Sequence, residues 1–456
     1  MTATQPARGT RDFLPDDIRR REYVIDVVRG VYERYGFEPL ETPAFENIET
    51  LLGKYGEEGN KLIFKILKRG EHEASGEADL ALRYDLTVPL ARVVAQYQNE
   101  LPKFFKRYQI QPVWRADRPA KGRFREFYQC DIDAIGSTAV VVEVELLAAV
   151  SEVMSTLGFT DFTVRLNHRQ VLGALLEAAG IPEARQADAL VAIDKLDKIG
   201  VDGVTRELTA RGIDAGAAQR CLVFMECGPA ERPEAIVGRL GKTLAGHLAV
   251  VELATIAALA ESTRAAGRIR IDPSLARGLS YYTGAIMEVS VPDLAGSLGG
   301  GGRYDHLIGM FLGREVPACG FSLGLERIIV VMTERNMFPA GIARGAVDVM
   351  IAFLDDESRT TAVQLASLLR SKPFELKVDV YPEAAPRPSA PLKYADKRKV
   401  PFVAIIGENE RSRGEVTIKE LRTGVQEPIP SFDVGHYLKR RLDLPGDTPI
   451  VRPDNG

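Results

Sequence analysis

The chain has 456 residues, 45% of them apolar and 27% charged, and a net charge of −4. That length and balance suit a globular protein of two or three domains. The longest apolar stretches, such as residues 139–150, are interrupted by charges (Glu143 and Glu145) and fall well short of the roughly 20 residues that span a bilayer, which excludes a membrane helix.

Residues 1–11 lack the apolar centre of a secretory signal, so a cytoplasmic location is expected. The four cysteines, Cys130, Cys221, Cys227 and Cys319, have no C-x-x-C spacing and read as reduced, packed thiols. The acidic balance does not advertise nucleic-acid binding, yet a large protein binds through local basic strips that a whole-chain sum averages away.

Taken along the chain, Pro15, Asp16 and Asp17 suit a helix start. Val24, Val27, Val28, Val31 and Tyr35 then recur at helical spacing until Gly36. Extended segments follow at 37–45, 82–88, 105–115 and 127–135, without the crossover helices that parallel strands require, which favours an antiparallel sheet. Residues 168–266 turn Ala- and Leu-rich and read as a helical insertion, because strand-like sequence returns at 281–291 and 319–323. A Pro- and Gly-containing link at 338–345 leads to short apolar strands at 347–354, 376–381 and 400–406. Helical stretches near 361–370 and 392–399 separate them, so the expectation is a small α/β domain with a mostly parallel sheet.

Several segments carry polar groups that could do chemistry. Read with period two, LRYDLTV puts Leu82, Tyr84, Leu86 and Val88 on one face and Arg83, Asp85 and Thr87 on the other. FYQCDIDAI likewise separates Cys130, Ile132 and Ala134 from Phe127, Gln129, Asp131 and Asp133. Such polar faces suit either solvent or the floor of a pocket for a cationic ligand.

Between them, WRADRPAKGRFREF gathers Arg115, Arg118, Lys121, Arg123 and Arg125 around turn residues. It reads as a solvated hairpin loop or as a phosphate site with Phe127 for base stacking. Gly299 to Gly302 read as a flexible turn or a close backbone approach to a ligand. In GFSLGLERI, Arg327 falls in the first turn of a helix, where a bound polyphosphate would offset its unfavourable dipole energy. LARGLSYYTG sets Arg277 near Tyr281 and Tyr282, and strand alternation would let only one of these tyrosines face a ligand.

In this order and spacing, the segments resemble the histidyl-tRNA synthetases over essentially the whole chain. RYGFEPLETP is similar to class II motif 1, WRADRPAKGRFREFYQCDID to motif 2 and GFSLGLER to motif 3, while LARGLSYYTG and GGGGRYD resemble the two histidine-specific motifs. RYDLT and QCDID look more like the eukaryotic-type branch than the common bacterial one.

The resemblance implies an α+β fold, a class II antiparallel sheet flanked by helices. It divides the chain into a catalytic domain at 1–167 and 267–337, a helical insertion at 168–266 and an α/β anticodon-binding domain at 346–445. It also implies a homodimer through motif 1, with ATP and Mg2+ as a substrate complex, L-histidine and tRNA(His) as further partners, and no tightly bound metal.

Carried over by position, Arg115 and Arg277 would be catalytic at the α-phosphate. Asp85, Leu86, Thr87, Arg115, Gln129, Asp133, Arg277, Tyr281, Tyr282 and Tyr304 would bind histidine, and Arg115, Asp117, Arg123, Phe127 and Arg327 would bind ATP. Two positions depart from the family pattern: Asp117 stands where motif 2 usually has Glu, and Ser280 where many members have Asp. The alternative is a non-catalytic paralogue such as the regulatory subunit of ATP phosphoribosyltransferase, which resembles the synthetase without its C-terminal domain and without an intact arginine-bearing motif. A class II synthetase for another amino acid would leave RGLSYYTG unexplained.

Overall fold

Pro15 stands at the first helical position, where its missing N–H has no partner to lose, and the helix runs Pro15–Arg34. It buries Val24, Val28, Val31 and Tyr32 and ends where Gly36 takes a positive φ of 75°. The computed structural model describes residues 4–52, 61–68, 75–120, 122–225, 233–276, 281–294, 296–343 and 347–442. They fall into two units, Met1–Phe338 and Pro339–Gly456.

Strands of the first unit are β1 (Glu38–Pro39), β2 (Phe45–Asn47), β3 (Lys65–Leu67), β4 (Ala78–Leu82), β5 (Phe105–Trp114), β6 (Glu126–Ile135), β7 (Thr163–His168), β8 (Ile269–Ile271), β9 (Ala285–Ser290), β10 (Gly299–Arg303) and β11 (Ala318–Gly324). The main sheet has the order β1-β5-β6-β11-β10-β9-β7-β8. It is antiparallel from β5 to β7, with parallel pairings only at its two margins, β1 with β5 and β7 with β8. β2, β4 and β3 form a smaller antiparallel sheet.

The alternation in β6 divides the two faces of the main sheet. Cys130 and Ile132 join Val164, Leu166, Met287, Val289, Phe321 and Leu323 in one core beneath the Pro15–Arg34, Val141–Thr156 and Leu325–Glu334 helices. The Leu244–Ala260 helix, whose composition places it with the insertion, contributes Val250, Leu253 and Ile256 to that same core. The preceding helices, from Arg169–Ala178 to Ala215–Met225, build a second core that reaches Leu275, Ala276, Tyr282 and Tyr304.

Two expectations are corrected. Residues 82–88 are not a strand: β4 ends at Leu82 and a helix begins at Thr87. Arg83 explains the break, because its buried guanidinium bonds Pro112 O (2.9 Å), Thr42 O (2.5 Å) and Gln111 Oε1 (3.0 Å), docking a bent segment onto the end of β5 in place of a ladder. The four glycines are not a turn either, since Gly299 to Gly302 lie in β10 inside the sheet. A Cβ on Gly299 would stand 2.9 Å from both Leu323 and Phe321 side chains, so the missing side chains make room for the large residues of β11.

The second unit contains β12 (Val349–Phe353), β13 (Val378–Val380), β14 (Phe402–Ile406), β15 (Glu415–Glu420) and β16 (Gln426–Pro430), in the order β13-β12-β14-β15-β16. The expected parallel part is β13-β12-β14, on which the Arg359–Arg370 helix packs Ala362, Leu365 and Leu369. β15 and β16 add an antiparallel hairpin that the sequence reading did not place, so the sheet is mixed rather than mostly parallel. Their period-two burial is visible in EVTIKE, where Val416 and Ile418 face the core and Thr417 and Lys419 do not. Of the four cysteines, Cys130, Cys221 and Cys319 are buried free thiols and Cys227 lies outside the described residues.

Candidate active site

Opposite the helix-covered face, the centre of the main sheet floors a cavity of 410 Å³. Gln129, Asp131 and Asp133 project from β6, and Gly320, Ser322 and Gly324 are their partners on β11. Thr87 lines it from the first position of the Thr87–Gln96 helix, and Asp85, just ahead, accepts a hydrogen bond from Val88 N (3.3 Å) as a helix-start cap would. Tyr281, Tyr282 and Tyr304 close one end. Arg115, Arg123, Phe127 and Arg327 stand at the other.

The floor is acidic and buried. Asp85, Asp131 and Asp133 are each 3% exposed or less. Burial pushes the Asp85 carboxyl up to about 7, against the opposing pull of Arg115. Burial also raises Asp131 and Asp133, with Arg107 working against it. Arg107 Nη2 sits 2.7 Å from Asp133 Oδ2 and 4.0 Å from Asp131 Oδ2, and the Tyr304 hydroxyl donates to Asp133 Oδ1. Three buried acceptors of the floor, Gln129 Oε1, Asp131 Oδ1 and Asp133 Oδ2, take no hydrogen bond from the described residues, the last being ion-paired with Arg107. Buried acceptors without donors are costly, and a ligand cation with several N–H groups would satisfy them.

The cationic end is arranged differently. Arg115 Nε donates to Tyr84 O (2.8 Å), and its guanidinium lies 5.1 Å from the Phe127 ring centre, which fixes its orientation across the cavity. Arg327 is the third residue of the Leu325–Glu334 helix and donates to Ser297 O (2.5 Å). Its neighbour Glu326 points away from the cavity, accepting from Arg21 Nη1 (2.9 Å) and Tyr128 N (3.0 Å) and so tying the Leu325–Glu334 helix to the first helix and to β6.

Most residues singled out in the sequence meet here. Asp85, Thr87, Arg115, Arg123, Phe127, Gln129, Asp133, Tyr281, Tyr282, Tyr304 and Arg327 all line the cavity. Both tyrosines of the pair do so, because Tyr281 and Tyr282 precede β9 and escape strand alternation; their rings are 4.5 Å apart. Leu86 and Asp117 do not line it. Leu86 is fully buried and offers only its carbonyl, 3.4 Å from Arg107. Asp117 holds Arg123 in a bidentate pair (2.7 and 3.0 Å). Arg277, Ser280 and Lys121 lie outside the described residues.

The sequence puts Asp131 on the polar face of its segment, and it shares the cavity floor although it is not among the residues carried over as binding; Asp194, which reaches the cavity from the end of the Glu183–Ile193 helix, is not singled out at all. Sequence reasoning missed Arg107 as well. The signal was present, since Arg107, Gln109 and Gln111 alternate along β5 as Gln129, Asp131 and Asp133 do along β6, and the two sets pair residue by residue.

Comparison with known proteins gives this geometry a family. The histidyl-tRNA synthetase family model matches residues 9–328, and an anticodon-binding domain model matches 348–441. The chain belongs to the histidyl-tRNA synthetase family. Histidine–tRNA ligases of Christiangramia forsetii and Gloeobacter violaceus are 40% and 41% identical to it, each alignment covering 95% of this chain and 98% of the relative.

A crystal structure of histidyl-tRNA synthetase from Nostoc sp. PCC 7120 is 30% identical with a TM-score of 0.80, covering 97% of this chain and 100% of that one. At 22% identity and a TM-score of 0.74, an ATP phosphoribosyltransferase regulatory subunit/histidyl-tRNA synthetase from Bacillus halodurans shares the fold. The expected eukaryotic-type branch finds no support, because these relatives are bacterial. Within the family the present chain keeps both the synthetase domain and the anticodon-binding domain.

Proposed function

We propose that the chain is a histidine–tRNA ligase that activates L-histidine with ATP and transfers it to tRNA(His). The observation that carries this is the cavity itself: a buried acidic floor with unsatisfied acceptors at one end, tyrosines beside it, and an arginine cluster with a stacking aromatic at the other. An amino acid and a nucleotide triphosphate need those two ends in that order.

Asp85, Thr87, Gln129, Asp131 and Asp133 receive the histidine ammonium, which offsets the mutual repulsion of the carboxylates. Tyr281, Tyr282 and Tyr304 read the imidazole. Discrimination follows from buried polar partners that an analogue without ring N–H groups leaves unpaired. Arg115 binds the α-phosphate and the histidine carboxylate, Phe127 stacks on adenine, and Arg123 and Arg327 bind the outer phosphates, with magnesium arriving as part of the nucleotide substrate. Asp117 acts through Arg123, which its carboxylate holds in place.

The histidine carboxylate oxygen attacks the α-phosphorus in line, pyrophosphate leaves, and Arg115 together with Arg277 neutralises the charge that develops. The terminal adenosine 3′-hydroxyl of the tRNA then takes the acyl group and AMP leaves. The C-terminal domain reads unstacked anticodon bases and the helical insertion touches the acceptor arm. A cytoplasmic homodimer, joined through the segment around RYGFEPLETP, completes the reading. Aminoacylation of purified tRNA(His) with labelled histidine tests it: acid-stable charging that needs ATP is expected, and histidine binding without charging would overturn it.

A further inference from the structure

The segment ahead of the first helix lies outside the cavity lining, yet it is bonded to the loop between β5 and β6 that carries the cationic end. Gly9 O accepts from Arg125 N (2.8 Å), and Arg8 O accepts from Arg125 Nη1 (3.4 Å). Arg125 is the pivot of that loop: its carbonyl accepts from Arg115 N (2.8 Å) and its Nε donates to Asp117 O (3.1 Å). Asp117 in turn holds Arg123, so one chain of bonds runs from Gly9 to both Arg115 and Arg123. The approach needs glycine. Gly9 has a φ of +88°, and a Cβ there would stand 2.8 Å from Arg125 Cγ and 3.0 Å from Pro119 Cγ.

Two residues on, the Arg11 guanidinium lies 3.4 Å from the centre of the Phe124 ring, and its Nη2 is 3.9 Å from Glu326 Oε1. A planar guanidinium can do both, since its face stacks on a ring while its edge carries the charge. Phe124 is the residue after Arg123, and Glu326 the residue before Arg327. Arg123 and Arg327 stand on elements far apart in the chain, and Arg11 touches the neighbour of each. We propose that residues 8–11 are a clip on the phosphate end, with Arg11 as its positioning residue: the clip sets Arg123 against Arg327 and so fixes the grip on the outer phosphates of ATP. The inference rests on the histidine-activating reading and adds to it a segment outside the cavity. A tether that served stability alone would weaken both substrates alike, whereas a clip on one end weakens ATP selectively.

The test is histidine-dependent pyrophosphate exchange with wild type, Arg11→Ala, Phe124→Leu and the double variant, read beside melting curves. Arg11→Ala is expected to raise KM for ATP about tenfold, the scale of a displaced phosphate contact, while KM for histidine stays within about 3-fold. Its melting temperature should fall by no more than a few degrees. Because Arg11 reaches the loop through Phe124, the double variant should raise KM for ATP no more than about 3-fold beyond the larger single effect, rather than by the product of the two. An unchanged KM for ATP in Arg11→Ala, an equal rise for both substrates, or multiplicative effects in the double variant would overturn the proposal.

Should Arg11→Ala fail to fold, Gly9→Val reads the same claim through Arg125, into which it drives a side chain. A rise in KM for ATP beyond that for histidine is expected, and no rise, or an equal one, overturns it. Wild type that exchanges with no amino acid would remove the functional reading and this inference together, whereas active wild type with an indifferent Arg11→Ala removes only the inference.

Discussion

Gly320 on β11 lies directly across from Asp133 on β6, and a Cβ built on Gly320 would fall on the Asp133 carboxylate. The aspartate can lean over the cavity only because its neighbour has no side chain. Gly320→Ala should push Asp133 off Arg107 and Tyr304 and lower kcat/KM for histidine at least about 100-fold, with thermal stability falling by only a few degrees. Steady-state exchange kinetics beside a melting curve separates the two effects.

The acidic floor carries a stability cost in the empty protein. Asp85, Asp131 and Asp133 titrate above the ordinary carboxylate range when folded, so between about pH 4 and 7 the folded chain binds more protons than the unfolded one. These groups therefore make the empty protein lose stability as pH rises through that window. Asp131→Asn should be more stable than wild type at pH 8, by on the order of 1–3 kcal/mol, with the difference shrinking toward pH 5. Chemical denaturation at the two pH values measures it. Histidine should stabilise wild type and leave the variant nearly unmoved.

Much of this site is legible in sequence because the period-two pattern of β6 sets Gln129, Asp131 and Asp133 on the face opposite Cys130 and Ile132, which narrows that face to solvent or a pocket floor. Other parts are hidden for physical reasons. Nothing local marks Arg83 and Arg107 as buried; pairing across the chain does, and a local pattern does not give that. The bend at residues 83–86 follows from Arg83 bonding Thr42 and Pro112, contacts that no local pattern encodes. The glycines of β10 mimic a loop because what fills their space, Phe321 and Leu323, lies on another strand.

The phosphate end should respond to substitution without loss of histidine binding. Arg327→Ala is expected to raise KM for ATP about tenfold or more, the scale of one charge-assisted contact, with histidine affinity by calorimetry unchanged. Arg115→Ala should lower kcat as well, since its guanidinium, fixed by Tyr84 O and Phe127, faces the reacting phosphate in the proposed arrangement.

Glu143 tests the scaffold apart from the chemistry. It is fully buried and holds Arg303 through two hydrogen bonds of 2.6 and 2.9 Å, joining the Val141–Thr156 helix to the end of β10. Glu143→Ala removes the guanidinium's buried carboxylate partner, leaving it Ser137 O (2.9 Å) and Asp305 (3.3 Å), and should cost on the order of 3 kcal/mol in denaturant unfolding. A variant as stable as wild type would show that the pair contributes nothing net.

The most direct measurement is pyrophosphate exchange into ATP with each of the twenty amino acids, for wild type and Arg277→Ala. Exchange with histidine alone, lost in the variant, is the expected result. No exchange with histidine, or equal exchange with another amino acid, would contradict the assignment of this cavity to histidine activation.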